Sequence, residues 1–150
     1  MLLDICDYLP RAIIKIIEAV KEPACGRATE TASVKYTRIY ADANGESHFE
    51  DVEIETKAAP HNTGVISQMF AARGVMFRLS PDYFVDWHNA PRRQFVVNVT
   101  GSVEITVSDG DRRVFGPGTI LLAEDLAGKG HTSRGLGGDE RMSLFIPLKE

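Results

Sequence analysis

The feature that most constrains the fold is a series of short segments, from residue 34 onward, in which apolar and polar residues alternate. The clearest of them has Val103, Ile105 and Val107, each followed by a polar residue. A period of two is typical of a strand that buries one face. Because about ten such segments follow one another with turn residues between them, the pattern predicts an all-β sandwich or barrel.

Turn residues set the boundaries of these strands. Asn44-Gly45 predicts a hairpin between strands over 34–40 and 47–55, because a tight hairpin turn needs positive φ at its central residues. Further strands are predicted over residues 64–72, 74–79, 83–88, 94–100, 102–108, 112–115, 119–123, 131–134 and 141–147.

The first residues follow a different period. Pro10 favours the start of a helix, Ile13 and Ile17 lie at helical spacing, and Pro23 ends the segment. One amphipathic helix is therefore predicted over residues 10–21. We expect its apolar stripe to pack on protein, either on this domain or on a partner subunit, because its charges are mixed rather than basic as on a membrane-surface helix.

Length and charge bound the class of protein. The chain has 150 residues, enough for one domain with its own core, so we predict a helix and linker over 1–33 and one β domain over 34–150. The net charge is −4 and no basic block is present, which argues against nucleic acid and membrane as partners. Charges interrupt the N-terminal apolar run, unlike in a signal peptide, which predicts a cytoplasmic protein. Cys6 and Cys25 are expected to be free thiols there rather than a disulfide.

The residues that can do chemistry gather in the stretch Asp86–Gly118 and just beyond it. His88 precedes the strand predicted over 94–100, Gln94 begins that strand, and His131 begins a later one. Two imidazoles and an amide that are delivered from strand ends can converge on one pocket. His88 and His131 are therefore candidate catalytic residues, and all three are candidate ligands.

Alternation along the strand extends this set. If Gln94 faces inward, Asn98 does too, and it then either contacts the substrate or joins a polar network. Trp87 is a candidate for stacking on a ligand, with a place in the core as the alternative. Arg92 is a candidate clamp for a carboxylate.

The other face of the same strand carries Phe95, Val97 and Val99, so both faces are apolar. A strand of this kind is buried on both sides, which calls for a second layer outside the sheet. That layer is either the N-terminal helix or another subunit, and a homodimer is expected.

Glu124 and Asp125 precede His131 closely in the chain. Either carboxylate could orient the imidazole or act as a general acid or base, and we predict Glu124 as the catalytic candidate. The alternative for both is a solvated loop. His48 lies on an earlier strand and could add a ligand, although a lone strand histidine is more often hydrogen-bonded in place.

The spacing of these residues resembles the cupin superfamily over roughly residues 36–148. Residues 87–94, WHNAPRRQ, with Gly101 seven residues after Gln94, stand at the first cupin motif, and Gly116-Pro117-Gly118 with His131 stands at the second. The resemblance implies a double-stranded β-helix, or jelly-roll barrel, and often a homodimer. More narrowly, the chain looks like small single-domain cupins of unassigned activity.

The metal ligands that the resemblance implies are three histidines and a carboxylate, and this chain departs from that set. Asn89 or Ala90 stands where a second histidine belongs and Gln94 where the glutamate belongs. The candidate metal ligands are then His88, Gln94 and His131. A neutral amide does not offset the charge of a divalent cation, so no cofactor is assigned and at most a weakly held divalent metal ion is expected.

The function expected is a cupin-fold protein that binds a small molecule in the barrel, with a degenerate metal site. The alternative is a metal-dependent (Fe, Mn, Ni or Zn) dioxygenase or isomerase that acts on a small polar or carboxylate substrate, or a metal-free isomerase with His88 or His131 as the base. A third hypothesis is a structural or interaction module. The fold alone does not choose among them.

Overall fold

The structure is a computed structural model, and it describes residues 33–138 and 140–149. The helix predicted over residues 10–21 lies outside these residues, as do Cys6 and Cys25. Within the described part of the chain, no helix is both long enough and apolar enough to cross a bilayer.

The chain divides into two compact units. The larger contains Ser33–Lys57 and Ile66–Glu150. Of the smaller unit the structure describes residues 58–65, where a single 3₁₀ turn lies at Pro60–Asn62. His61 has a φ of 59° in this turn, which agrees with the loop expected there.

Twelve strands lie in the described residues. In chain order they are β1 (Val34–Ala41), β2 (Ser47–Ile54), β3 (Thr56–Ala58), β4 (Val65–Ser67), β5 (Met76–Ser80), β6 (Phe84–His88), β7 (Gln94–Asn98), β8 (Ser102–Val107), β9 (Arg112–Phe115), β10 (Ile120–Ala123), β11 (His131–Leu136) and β12 (Arg141–Pro147). The all-β prediction is therefore confirmed for this part of the chain.

Ten of the twelve strands form two sheets, and β3 and β4 form a separate two-stranded sheet. The first has six strands in the order β2-β1-β10-β7-β12-β5, and the second has four in the order β6-β11-β8-β9. Neighbouring strands are antiparallel except for β1 and β10, which run parallel. Among the described strands the two sheets share none, so hydrogen bonds do not close them into a barrel.

The main core joins the two sheets. In β8 the residues Val103, Ile105 and Val107 are buried and the residues between them are half-buried, as their alternation predicts. They belong to a cluster of buried side chains from both sheets, which contains Ile39, Val96, Val103, Ile105, Val107, Phe115 and Leu121. Burying each aliphatic side chain contributes about 1.5–3 kcal/mol relative to leaving it exposed.

The hairpin predicted at Asn44-Gly45 is present, but its turn is longer than two residues. Gly45 has a φ of 81°, whereas Asn44 has no positive φ. The Asp42 carboxylate accepts hydrogen bonds from the backbone N–H groups of Asn44 and Glu46, each at 2.9 Å. This side-chain cap supports a five-residue loop over 42–46 in place of a tight hairpin turn.

The outer face of β7 is covered by this chain itself. Phe95 is buried in a second cluster with Leu122 and Leu148. The rings of Tyr36 and Phe70 pack edge-on against Phe95, with centroid distances of 5.3 and 5.2 Å. Phe95 is thus covered without a second subunit, whereas Val97 is half-buried and Val99 is 39% exposed, and the homodimer stays a prediction.

The strand predicted over residues 64–72 is the largest local error. Only Val65–Ser67 is a strand, and the chain then leaves the extended pairing pattern. Phe70 anchors this segment in the second cluster, and a single bridge joins Ala72 to Leu148. The packing of Phe70, rather than a regular ladder of backbone hydrogen bonds, holds this segment in place.

A close backbone contact holds β11 against the end of β6. Gly130, the residue before β11, has a φ of 72°. A Cβ atom placed on it would lie 2.2 Å from the backbone oxygen of His88. Only glycine allows this approach. Because β11 begins at His131, the contact sets the distance between the two histidines.

We expect Gly130→Ala to destabilise the fold more than Gly118→Ala. Gly118 also has positive φ, at 80°, but a Cβ there meets no heavy atom within 4 Å. The control therefore measures conformational strain alone, about 1–2 kcal/mol, and Gly130→Ala should lose about 1–3 kcal/mol more from the clash. Urea unfolding followed by circular dichroism measures both, and equal losses would contradict the contact.

Candidate functional site

A cavity of about 300 Å³ lies between the two sheets of the larger unit. Its polar lining consists of Arg78, Tyr83, His88, Gln94, His131, Ser133 and Arg141. Its apolar lining consists of Val85, Ala90, Pro91, Val96, Val103, Ile105, Leu121, Ala123 and Phe145. These lining residues include two arginines and no carboxylate, so the cavity favours a neutral or negatively charged occupant.

His88 and His131 meet at one end of this cavity. They are register partners across β6 and β11, and their ring centroids lie 4.4 Å apart at an interplanar angle of 55°. Nδ1 of His88 donates to the backbone oxygen of Asp86 at 2.7 Å, since a carbonyl can only accept. The lone pair of His88 is therefore on Nε2 in the neutral ring.

Asp125 fixes the second imidazole from behind. Nδ1 of His131 donates to Oδ2 of Asp125 at 2.6 Å, and Asp125 is fully buried. The other carboxylate oxygen, Oδ1, has no hydrogen-bond partner within the described residues. This pair orients the ring of His131, leaves its Nε2 for a ligand, and can stabilise a positive charge on it.

The loop that carries Asp125 is tied to the loop after β6. The backbone oxygen of Asp125 accepts from the backbone N–H of Ala90 and from Nδ2 of Asn89, each at 3.2 Å. Nδ2 of Asn89 also donates to the backbone oxygen of Gly128 at 3.3 Å. Asn89, which follows His88, thus positions the backbone of Asp125, whose carboxylate orients His131.

Gln94 completes the group predicted from sequence. It begins β7, is only 5% exposed and lines the same cavity as His88 and His131. The structure therefore brings the three candidate ligands to one cavity. Its amide can accept through Oε1 or donate through Nε2 to a bound molecule.

These donors are a poor set of ligands for a divalent metal ion. Two imidazole nitrogens with oriented rings suit a divalent cation, but the third donor is a neutral amide. No group of three His, Cys, Asp or Glu side chains capable of holding a metal occurs among the described residues. Arg78 and Arg141 line the cavity as well, and their charges oppose a cation.

Glu124, Trp87 and Arg92 do not line the cavity. Glu124 forms ion pairs with Nε of Arg93 at 2.8 Å and Nη1 of Arg38 at 3.4 Å. The neighbouring Asp125 has the orienting role instead. Trp87 is 51% exposed on β6, and Arg92 is exposed.

Asn98 joins a polar network, one of its two expected roles. It is buried, and its Nδ2 donates to the backbone oxygen of Phe115 and to Oγ1 of Thr119, each at 3.1 Å. Its Oδ1 accepts from Nε and Nη2 of Arg141 at 2.8 and 2.5 Å. Asn98 therefore acts on the cavity by holding Arg141.

Arg141 is the site residue that sequence reasoning missed. It begins β12, is only 5% exposed, and donates through Nη1 to the hydroxyl of Tyr83 at 3.2 Å. Burial lowers the pKa of its guanidinium, although an arginine stays charged in proteins. The alternation of β12 gave no signal for it, because the apolar residues Met142, Leu144 and Ile146 lie on the face opposite Arg141.

Comparisons with known proteins do not identify this site. No family model matches the chain, and no curated protein matches it. Among solved structures, the crystal structure of protein NMB1881 from Neisseria meningitidis is similar over 55% of this chain and 81% of that chain, with 19% identity and a TM-score of 0.35. A likeness at that score carries no argument about fold or function.

His48 lies apart from the cavity lining and is bound to carboxylates. Its Nδ1 lies 2.6 Å from Oδ2 of Asp109, and its Nε2 lies 3.6 Å from Oδ2 of Asp42. The hydrogen bond to Asp109 raises the pKa of His48 above its ordinary 6.5. The backbone N–H of Asp111, and then His48, lower the pKa of Asp109. His48 is thus a hydrogen-bonded strand histidine, the alternative to a ligand.

This cluster predicts a pH dependence of stability. Because the pKa of His48 is higher in the folded protein, its contribution is complete below the unfolded pKa of about 6.5 and is lost as pH rises through the folded pKa. His48→Gln should remove this pH-dependent part of the unfolding free energy and Asp109→Asn the larger share of it, because Asp42 remains beside His48, and the double variant should lose no more than His48→Gln. An NMR titration of His48 with a midpoint at or below that of the urea-unfolded chain would contradict this.

Proposed function

We propose that this chain is a jelly roll of the cupin type that binds a small molecule in the cavity, with its metal site reduced to His88, Gln94 and His131. Between β7 and β12 the chain crosses repeatedly from one sheet to the other, which is typical of a jelly roll. The glycines of the two motifs, Gly101 and Gly118, have positive φ of 66° and 80°, as turns at those positions require.

One observation carries the binding function. The two imidazoles are held at Nδ1 by groups behind them, so both Nε2 atoms remain for an occupant of the cavity. A small-molecule site typically has apolar walls and a few polar groups that hydrogen bonds hold in one orientation. A purely structural module would need no such orientation.

A panel of small compounds tests this function. Butanoate, hexanoate and benzoate, with their amides and alcohols, fit a cavity of this volume. The panel thus includes negatively charged and neutral ligands. We expect members of the panel to raise the melting temperature of the wild-type protein by binding the native state. Ala123→Leu fills the cavity and should abolish the shift, measured against the variant's own melting temperature.

Ala127→Leu is the matched control. Ala127 is exposed and does not line the cavity, so ligand-induced shifts should persist. Overpacking at position 123 is itself expected to cost about 1–3 kcal/mol of stability. The proposal fails if no compound shifts the wild type, or if the shifts survive Ala123→Leu.

We also propose metal-free proton transfer as a second candidate function, favoured by the His131–Asp125 pair. A base must have a free nitrogen that faces the substrate and a partner that stabilises the cation formed, and His131 has both. Its Nε2 would accept a proton from a carbon next to a carbonyl group and return it to the resulting enolate. The ring of His88 lies beside that of His131, at 4.4 Å between ring centroids, and would contact the same substrate.

Deuterium exchange tests this second function. In D₂O the wild-type protein should speed the exchange of the protons next to the carbonyl of 2-hexanone, followed by proton NMR. Loss of a general base typically lowers a rate about 10²–10⁴-fold, so His131→Gln should remove most of the acceleration. His48→Gln serves as the control. Equal rates for wild type and His131→Gln would end the proposal and leave the binding function standing.

A further inference from the structure

The end of the cavity away from the histidines contains a buried charge with no counter-charge. Arg141 is 5% exposed and forms no ion pair within the part of the chain that the structure describes. A guanidinium has five N–H bonds, and three of them reach neutral oxygens on Asn98 and Tyr83. Two remain for another acceptor.

Neutral acceptors do not offset the cost of desolvating a charge as well as an anion does. Taking an ion out of water costs several kcal/mol unless an opposite charge and further hydrogen bonds compensate. No residue that lines the cavity is acidic, and among the described residues the two acids before β11 are engaged elsewhere: Glu124 faces Arg38 and Arg93, and Asp125 faces His131 from outside the lining. An anionic occupant would supply the missing negative charge.

Two serine hydroxyl groups near Arg141 also have unused hydrogen-bonding capacity. Ser80 is its register partner on β5, and Ser143 lies two residues along β12. Both are buried, and their hydroxyl oxygens have no hydrogen-bond partner among the described residues. Arg78, which lines the cavity with its guanidinium 5.3 Å from the Tyr83 ring centroid, adds positive charge to this end.

The distance between the two polar ends follows from β7. Gln94 begins the strand at the histidine end, and Asn98 ends it where Arg141 is held. Four residues of strand span about 13 Å. Val96 lies between them and, with Ile105 and Leu121, forms apolar wall. An occupant that reaches both ends is therefore apolar in its middle.

We propose that the occupant is a small monocarboxylate whose carboxylate lies on Arg141 and whose apolar body extends toward His88 and His131. This rests on the proposed function, because it names the ligand class of that same cavity. A planar guanidinium fork matches the two oxygens of a carboxylate. Of the two arginines that line the cavity, Arg141 is buried and Arg78 is exposed to solvent, so the single desolvated cation suits a single negative charge better than the two of a phosphate ester.

The test compares a carboxylate with its neutral amide, which has nearly the same shape but one acceptor oxygen in place of two. Hexanoate and hexanamide are titrated into the wild-type protein by calorimetry. We expect hexanoate to bind about tenfold to a hundredfold more tightly, because hydrogen bonds between charged groups are stronger than those between neutral ones. On hexanoate binding, the Arg141 Nε resonance of ¹⁵N-labelled protein should shift. That readout needs no variant to fold.

Variants then separate charge from structure. Arg141→Gln should remove the preference for hexanoate, whereas Arg141→Lys should keep part of it, since the charge remains without the planar fork. Arg112→Gln is the control, because Arg112 is exposed and does not line the cavity, and the preference for hexanoate should be retained in this variant.

Failure of the carboxylate assignment and failure of the proposed function would give different results. If hexanamide binds as tightly as hexanoate, or if the Arg141 resonance does not move, the carboxylate assignment is overturned while cavity binding stands. If neither compound binds, or if binding persists in Ala123→Leu, the cavity itself is not the binding site and the proposed function falls with the inference.

Discussion

The structure depends on the burial of both faces of β7. This strand lies between β10 and β12 in the six-stranded sheet, with Phe95 packed outward and Val96 packed into the main core. A one-residue slip would exchange the two faces and move Gln94 and Asn98 out of the site. Apolar packing on two sides therefore sets the register, and the register places the polar residues.

The two ends of the cavity are stabilised in different ways. At one end a carboxylate lies behind an imidazole: Asp125 and His131 form a buried pair whose proton lies between them. At the other end Arg141 is held by an amide and a phenol, which supply oxygen lone pairs but no charge. The first end therefore pairs an imidazole with a carboxylate, whereas the second contains a cation without an anionic partner among the described residues.

Much of this fold followed from alternation, and much of the site did not. The alternation in β8 and the inward direction of Gln94 and Asn98 were predictable because a strand has a strict period of two. The same rule explains why Trp87, which was predicted to stack on a ligand or to lie in the core, does neither: it is next to the inward His88 on β6 and is 51% exposed. The choice of Asp125 over Glu124 was not predictable, because the chain leaves β10 before either residue and a loop has no period.

Arg141 shows why charge is hard to place from a single sequence. An arginine at the start of a strand is usually solvated, and only the burial of Ser143 and Asn98 around it shows the inward direction. The presence of Arg141 changes how Gln94 affects the net charge of the cavity. A carboxylate there would lie in the same cavity as Arg141 and could neutralise the cavity from within. With an amide, the positive charge persists, and the electrostatic preference of the site changes from a cation to an anion.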